Sequence, residues 1–444
     1  MNRIEQNNRI IVALATPYGR SAVAVIRISG KGSIDLVGRF LSRRLEVGKI
    51  AVNVFKTEKF NERLMATCFE SPKSYTGEDT VELYPHGNTV ICDGIIKTLI
   101  NAGAFAAEKG EFTKQAFLNG KLDLMQCEAL ADVIDAQTAE QLVYGNKRYD
   151  GGYDEFSQVK NILNKALSSI EAVLHYGDEL EENEIDTALV DDVYKSVDVC
   201  IEKLNSEIEK FAGGRIINDG FRIALIGEPN VGKSTLLNAL TQSDRAIVTD
   251  IAGTTRDTLD GNYVYKDKKF VIIDTAGITE TTDAVEKIGV ERAKKAAQTA
   301  DAVVYVTADE SGTKSEVATN GESVVIKNKC DVNKDVGTNY RRAETNGVLE
   351  VSAKNNVNIT ALKQKLFDLC PKDCGGICNH RQYECAVRCF ERCKDAKNEL
   401  DSAFGLEIVS ALLFDAYSAI SELYGEQADE KIIESVFDRF CVGK

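Results

Sequence analysis

The sequence predicts a multidomain chain of mixed class: an N-terminal α/β domain, then a helical domain, with a second α/β unit inserted into the helices. Three observations predict it. Residues 9–28 read strand, loop, strand, because RIIVALA and AVAVIRIS are rich in β-branched residues and TPYGR between them carries turn residues. From Leu122 the period changes, and LDLMQCEALADVIDAQTAEQL places apolar residues at helical spacing. FRIALIG at 221–227 then opens a βα alternation that runs to about Leu369, after which the chain is helical again. At roughly 100–200 residues per domain, 444 residues make two to four domains.

The helical stretch continues through FSQVKNILNKALSSIEAVLHY and VDDVYKSVDVCIEKLNSEIEKFA. Residues 178–192 between them hold eight acids and no base, which reads as a solvated helix start or loop. Gly213–Gly214 reads as punctuation at the end of the last of these helices, and Cys370–Pro371 as the close of the inserted unit. A unit of about 150 residues whose ends lie close together is readily inserted into a host domain. The boundaries expected are 1–120, 121–217, 218–371 and 372–444.

Composition narrows the classes. Lys and Arg number 54 and Asp and Glu 69, a formal charge of −15, so nucleic acid would need a local basic patch or a basic partner. Three histidines leave little for a multi-histidine metal site. MNRIEQNNRI has no apolar core of a secretory signal, and no run of about 18 apolar residues occurs, so a cytoplasmic chain without a membrane span is expected. Twelve cysteines in that setting read as free thiols.

Gly227-Glu228-Pro229-Asn230-Val231-Gly232-Lys233-Ser234 matches GxxxxGKS, with a strand before it and the helix TLLNALTQ, beginning at Thr235, after it. Such a loop turns backbone N–H groups and a helix N-terminus toward phosphates. Lys233 would reach the β- and γ-phosphates and Ser234 would ligate Mg²⁺. Four further elements follow in order. Thr249, Asp250, Ile251, Ala252, Gly253, Thr254 and Thr255 form the expected switch segment, Thr255 closing over Mg²⁺. Asp274-Thr275-Ala276-Gly277 follows a strand; Asp274 would hold Mg²⁺ through water and Gly277 would meet the γ-phosphate. Asn328-Lys329-Cys330-Asp331 supplies a carboxylate that accepts from the two donors on the guanine edge, a pair adenine lacks. Ser352-Ala353-Lys354 backs the base. Together these define a GTP site. Ile278 stands where related enzymes carry a water-orienting glutamine, so hydrolysis needs another charge and another polar group.

ATPYGRSAVAVIRISG, SYTGEDTVELYPHGN, GEFTKQAFLNGKLDLMQCEALADVIDAQT, TDIAGTTRD and the ending Phe440-Cys441-Val442-Gly443-Lys444 together make the chain resemble the MnmE (TrmE) family of tRNA modification GTPases along nearly its whole length. The resemblance implies an inserted Ras-like GTPase activated by K⁺, with Asn230 giving a side-chain oxygen and Thr249, Ile251 and Thr254 giving carbonyls. It implies Glu286 as the residue that acts on water, and pairing of two GTPase domains. It implies an N-terminal domain that forms a homodimer and binds 5-formyltetrahydrofolate or a related one-carbon folate at Arg27, Glu82 and Lys121, with Lys444 from the tail. Cys441 is expected to serve the modification chemistry. The implied reaction builds an aminomethyl-type (carboxymethylaminomethyl) group at C5 of the tRNA wobble uridine with a flavin-dependent MnmG-like partner, the two forming a heterotetramer. A different class, a GTP-dependent ribosome-assembly or regulatory switch, would carry a basic RNA-binding module after the GTPase; here helices follow, ending in Cys-Val-Gly-Lys.

Two features depart from the family pattern. Cys370, Cys374, Cys378, Cys385, Cys389 and Cys393 fall at spacings of 4, 4, 7, 4 and 4. They read either as small apolar packing residues or as a soft-metal site. ADESGTKSEVATNGES, ahead of the Asn-Lys-Cys-Asp element, reads as a short polar loop.

Overall fold

The computed structural model describes residues 9–152, 154–176, 185–228, 230–242, 261–274, 295–308, 322–331, 344–345, 348–371, 376–402 and 405–444. The first region contains β1 (Ile11–Leu14), β2 (Ile26–Ser29), α1 (Ser33–Gly38), β3 (Ala51–Lys56), β4 (Asn61–Phe69), β5 (Thr80–Tyr84), α2 (Thr89–Asn101), β6 (Phe105–Ala106) and α3 (Glu111–Leu118). Its six-stranded sheet has the order β3-β4-β5-β2-β1-β6. All pairings are antiparallel except β1 with β6. Alternation in β4 buries Glu62, Leu64 and Ala66 and exposes Arg63 and Met65. Ile95 and Leu99 of α2 pack on Ile26, Ile28, Val81 and Leu83. Asn88 caps α2, its side chain accepting from the Val90 and Ile91 N–H groups.

The helical pattern that starts at Leu122 breaks into α4 (Leu124–Asp135) and α5 (Ala139–Tyr149). The break follows from Thr138 and Gln141: the Gln141 N–H donates to Thr138 Oγ1 at 3.1 Å and the Gln137 N–H to Gln141 Oε1 at 2.7 Å. This is a reciprocal start of the capping-box type, and Thr-Ala-Glu-Gln announces it in the sequence. Next come α6 (Asp154–Tyr176), α7 (Ile185–Glu209) and α8 (Phe211–Asp219). Gly213 and Gly214 therefore do not end a helix; they lie buried inside α8. A Cβ on Gly214 would run into the Ile377 carbonyl, so the glycine serves close packing.

The inserted unit contains β7 (Phe221–Gly227), α9 (Lys233–Gln242), β8 (Gly261–Tyr265), β9 (Lys268–Asp274), β10 (Ala302–Thr307), β11 (Glu322–Lys327), β12 (Glu344–Thr345), β13 (Val348–Glu350) and α10 (Ile359–Asp368). The sheet runs β12-β13-β11-β10-β7-β9-β8, with β13, β11, β10, β7 and β9 parallel. Burial on both faces explains why β7 and β10 read as continuous apolar runs. The tip between β8 and β9 carries Asp267, whose carboxylate accepts from the Ala139 and Glu140 N–H groups at the start of α5, each at 2.9 Å. Beyond it lie α11 (His380–Asp401), α12 (Leu406–Leu423) and α13 (Glu430–Phe437).

The chain forms two compact units. The first holds residues up to Ile134, Asn146–Asp154 and Phe414–Lys444; the second holds Asp135–Gly145 and Glu155–Leu413. In the first unit, α13 packs Val436 and Phe437 against Leu124, Cys127 and Ala131 of α4. Beside that core Asp132 accepts from Arg148 and from Arg439, each at 2.6 Å, and the Asp132 and Arg148 side chains are only 4% and 3% exposed. In the second unit Cys385, Cys389 and Cys393 lie on the buried face of α11, which packs along α7. A hydrogen bond to Cys393 and burial push the Cys200 thiol of α7 up. The full burial of Cys385, Cys389 and Cys393 on this face suits the reading of small apolar packing residues. Cys374 lies outside the described residues. Among the described residues no helix is long and apolar enough to cross a membrane.

Candidate functional sites

Strand order reverses at β7, which pairs with β10 on one side and β9 on the other. The crevice beyond the carboxyl ends of such strands is where open α/β sheets bind ligands, and the phosphate loop sits there, between β7 and α9. Gly227 is pressed against the Val306 carbonyl, which leaves no space for a Cβ. Asn230 and Gly232 hold left-handed conformations, φ 63° and 97°. A Cβ on Gly232 would strike the Asn328 amide. Ser234 and Thr235 stand exposed on the first turn of α9. The Lys233 ammonium donates to the Gly227 and Glu228 carbonyls at 2.8 and 2.9 Å, which holds it across the mouth of the loop.

Asn328 joins the loops. It is 2% exposed; its Nδ2 donates to the Val231 carbonyl at 2.9 Å, and its Oδ1 accepts from the Ala353 N–H at 3.1 Å. Lys329, itself left-handed at φ 62°, donates from Nζ to the Asn230 carbonyl at 2.7 Å. The buried Ser352 hydroxyl accepts from the Asn355 N–H at 3.3 Å and fixes the turn carrying Lys354. The structure thus brings together Asn230, Val231, Gly232, Lys233, Asn328, Lys329 and Ala353. Asp331 follows on the same loop, and Asp274 ends β9 in register with Leu225 of β7. Thr249–Thr255, Thr275–Gly277, Ile278, Glu286 and the polar loop ahead of β11 from 309 to 321 lie outside the described residues.

A second constellation lies on the first unit's sheet. Arg27 of β2 and Glu82 of β5 face each other in register and pair at 2.9 Å. Glu82 also accepts from the Tyr84 hydroxyl at 2.6 Å. The Arg27 guanidinium stacks between the Tyr75 and Phe112 rings, 5.6 and 5.8 Å from their centroids, and donates to the Gly443 carbonyl at 3.2 Å. Gly443, at φ 98°, lies so close to the Leu14 carbonyl that no other residue fits. Val442 bridges Lys109, and the Lys444 N–H donates to the Cys441 carbonyl at 3.4 Å. The exposed Cys441 is therefore held on this tail. Lys121 donates to the Pro72 carbonyl at 3.1 Å. Burial pushes Tyr75 up to about 12, and burial with Glu82 also raises Tyr84, so both phenols are neutral donors at neutral pH. Tyr75, Tyr84 and Phe112 were not singled out from sequence. The signal was present, since Glu82 and Tyr84 alternate onto one face of β5.

A parallel sheet with a GxxxxGKS loop at its switch point, clamped to an Asn-Lys-x-Asp loop by a buried asparagine, defines a P-loop GTPase. Residues 10–121 match the family model described as GTP-binding protein TrmE N-terminus, and residues 124–441 that described as MnmE helical domain. The chain is 36% identical to tRNA modification GTPase MnmE of Aquifex aeolicus over 98% of its own length and 99% of the relative's. It is 34% identical to that of Thermotoga petrophila and 32% to that of Streptococcus thermophilus, covering 98% of this chain and at least 98% of each relative. The chain belongs to the MnmE (TrmE) family of tRNA modification GTPases.

Proposed function

We propose that the chain is the GTP-hydrolysing subunit of the enzyme that builds a carboxymethylaminomethyl-type group at C5 of the wobble uridine, working in the cytoplasm as a homodimer with a flavin-dependent partner. The observation that carries this reading is the tail: the Gly443 carbonyl accepts from Arg27 of the Arg27–Glu82 pair, and the exposed Cys441 lies two residues before Gly443 on that tail. The cluster suits a pterin-type one-carbon carrier. Glu82 can accept from ring N–H groups, Arg27 can pair with a carboxylate, and Tyr75 and Phe112 are flat faces. When bound, that folate supplies the carbon; this chain's residues bind and orient it, with Lys121 and Lys444 as further candidates for its carboxylates.

At the nucleotide site Ser234, Thr255 and Asp274 are the Mg²⁺ residues. The exposed, left-handed Asn230 suits a neutral oxygen donor to K⁺, with the Thr249, Ile251 and Thr254 carbonyls. These oxygens would hold K⁺, which would supply the positive charge that an arginine supplies in related enzymes. Glu286 acts on water.

Deleting the gene is expected to remove the wobble-uridine modification from tRNA. Wild type restores it and Cys441→Ser does not; mass spectrometry of digested nucleosides reads this. Unchanged nucleosides after deletion overturn the proposal. GTP turnover is expected to be about tenfold or more faster in K⁺ than in Na⁺, with Asn230→Ala erasing the difference. Equal wild-type rates in the two salts would remove the role given to Asn230.

A further inference from the structure

The edge of the first unit's sheet has a charge opposite to the rest of the chain. Between residues 39 and 63 seven basic residues accompany three acids, in a protein of net charge −15. Of those acids, Glu62 is buried and holds His86 at 2.6 Å, and Glu46 pairs with Lys49 at 2.7 Å. Arg39, Arg43, Arg44, Lys56, Lys59 and Arg63 are all exposed. The backbone gathers them. The Ser42 N–H donates to the Val54 carbonyl at 3.0 Å while Val54 stands opposite Arg63, so Arg43 and Arg63 flank one point of β3. The Lys56 N–H donates to the Phe40 carbonyl at 2.9 Å, bringing Lys56 beside Arg39.

Basic residues on an edge strand also discourage pairing with other strands, but that purpose does not require a fixed arginine turn. Here the turn is fixed. Asn53, 2% exposed, accepts from the Ser42 hydroxyl at 2.9 Å and the Arg43 N–H at 3.1 Å, and donates to the Arg43 carbonyl at 2.8 Å. A buried amide that engages both the N–H and the carbonyl of Arg43 fixes the backbone that carries the Arg43–Arg44 pair before any partner arrives. We propose that this edge, Arg39–Arg44 together with β3 and β4, binds the phosphate backbone of tRNA. An acidic chain repels polyanions at long range, so a fixed local patch is the means by which it can hold one.

The proposal rests on tRNA being the substrate, and the experiment separates the two. Binding of bulk purified tRNA to the full chain is measured across a KCl series, for wild type and for Arg43→Gln/Arg44→Gln/Arg63→Gln. The triple variant is expected to bind at least about tenfold more weakly, with the slope of log K against log salt shallower by about 2 to 3. Its GTP turnover and its mass in solution should match wild type. If the triple variant unfolds, Lys56→Gln/Lys59→Gln is expected to lose about 1 to 2 from the slope. Unchanged affinity and slope overturn the patch alone. Unchanged tRNA binding with an altered oligomeric mass overturns it in favour of a second copy of the chain. Failure of wild type to bind any tRNA overturns the substrate reading.

Discussion

Asn328→Ala is expected to lower GTP affinity by at least tenfold and to cost about 2–4 kcal/mol of stability. The side chain is 2% exposed and makes two hydrogen bonds, one to the carbonyl of the phosphate loop and one from the N–H of the base-backing loop. Truncation leaves the Val231 carbonyl and the Ala353 N–H unpaired, and each buried unpaired group costs about 1–3 kcal/mol. Part of that cost appears in unfolding. The rest appears in binding, because three nucleotide-contacting loops lose their common anchor; each 1.4 kcal/mol there is about tenfold. Denaturant unfolding without nucleotide and titration with a fluorescent guanine nucleotide read the two parts. Wild-type midpoint and wild-type affinity together would disprove the anchoring role. Asn328→Asp keeps the acceptor toward Ala353, loses the donor toward Val231 and buries a charge, so it should recover little.

Asp132→Ala is expected to destabilise the first unit by about 3–5 kcal/mol, the scale for removing one partner of a buried ion pair. Arg148 is 3% exposed and would keep its charge with its 2.6 Å carboxylate gone. Arg439, 37% exposed, can turn to water and adds less. Adding Arg148→Met to Asp132→Ala should recover part of the loss, since the charge that Asp132 held is then absent, and a double-mutant cycle measures that coupling. Equal losses in the single and double variants would show that the cost comes from packing. The tail should respond too, since Arg439 immediately precedes Phe440 and Cys441.

The parts of the fold that were legible in sequence are those where local chemistry acts alone. FRIALIG reads as a strand because its residues are buried on both faces, and the glycines of the phosphate loop are needed at the backbone positions they occupy. Apolar spacing after Leu122 marks helix but not its interruption, which rests on the Thr138–Gln141 start. Gly213–Gly214 misled for a related reason. A glycine pair marks either a break or a close approach, and only the position of Ile377, far along the chain, decides which. In the candidate pterin cluster, Arg27 and Glu82 came from family resemblance. The rings around Arg27 depend on how β2, β5 and α3 meet, which no local pattern encodes. The division of the helices between two units, with Asp132, Arg148 and Arg439 meeting in one of them, depends on contacts up to 307 residues apart.

Among the described cysteines Cys441 alone is exposed, and the others are buried. With Cys374→Ser in place, a maleimide dye would therefore attach at a single address without engineered handles. A fluorophore seated there would register whether the terminal segment leaves β1 as nucleotide or pterin is added.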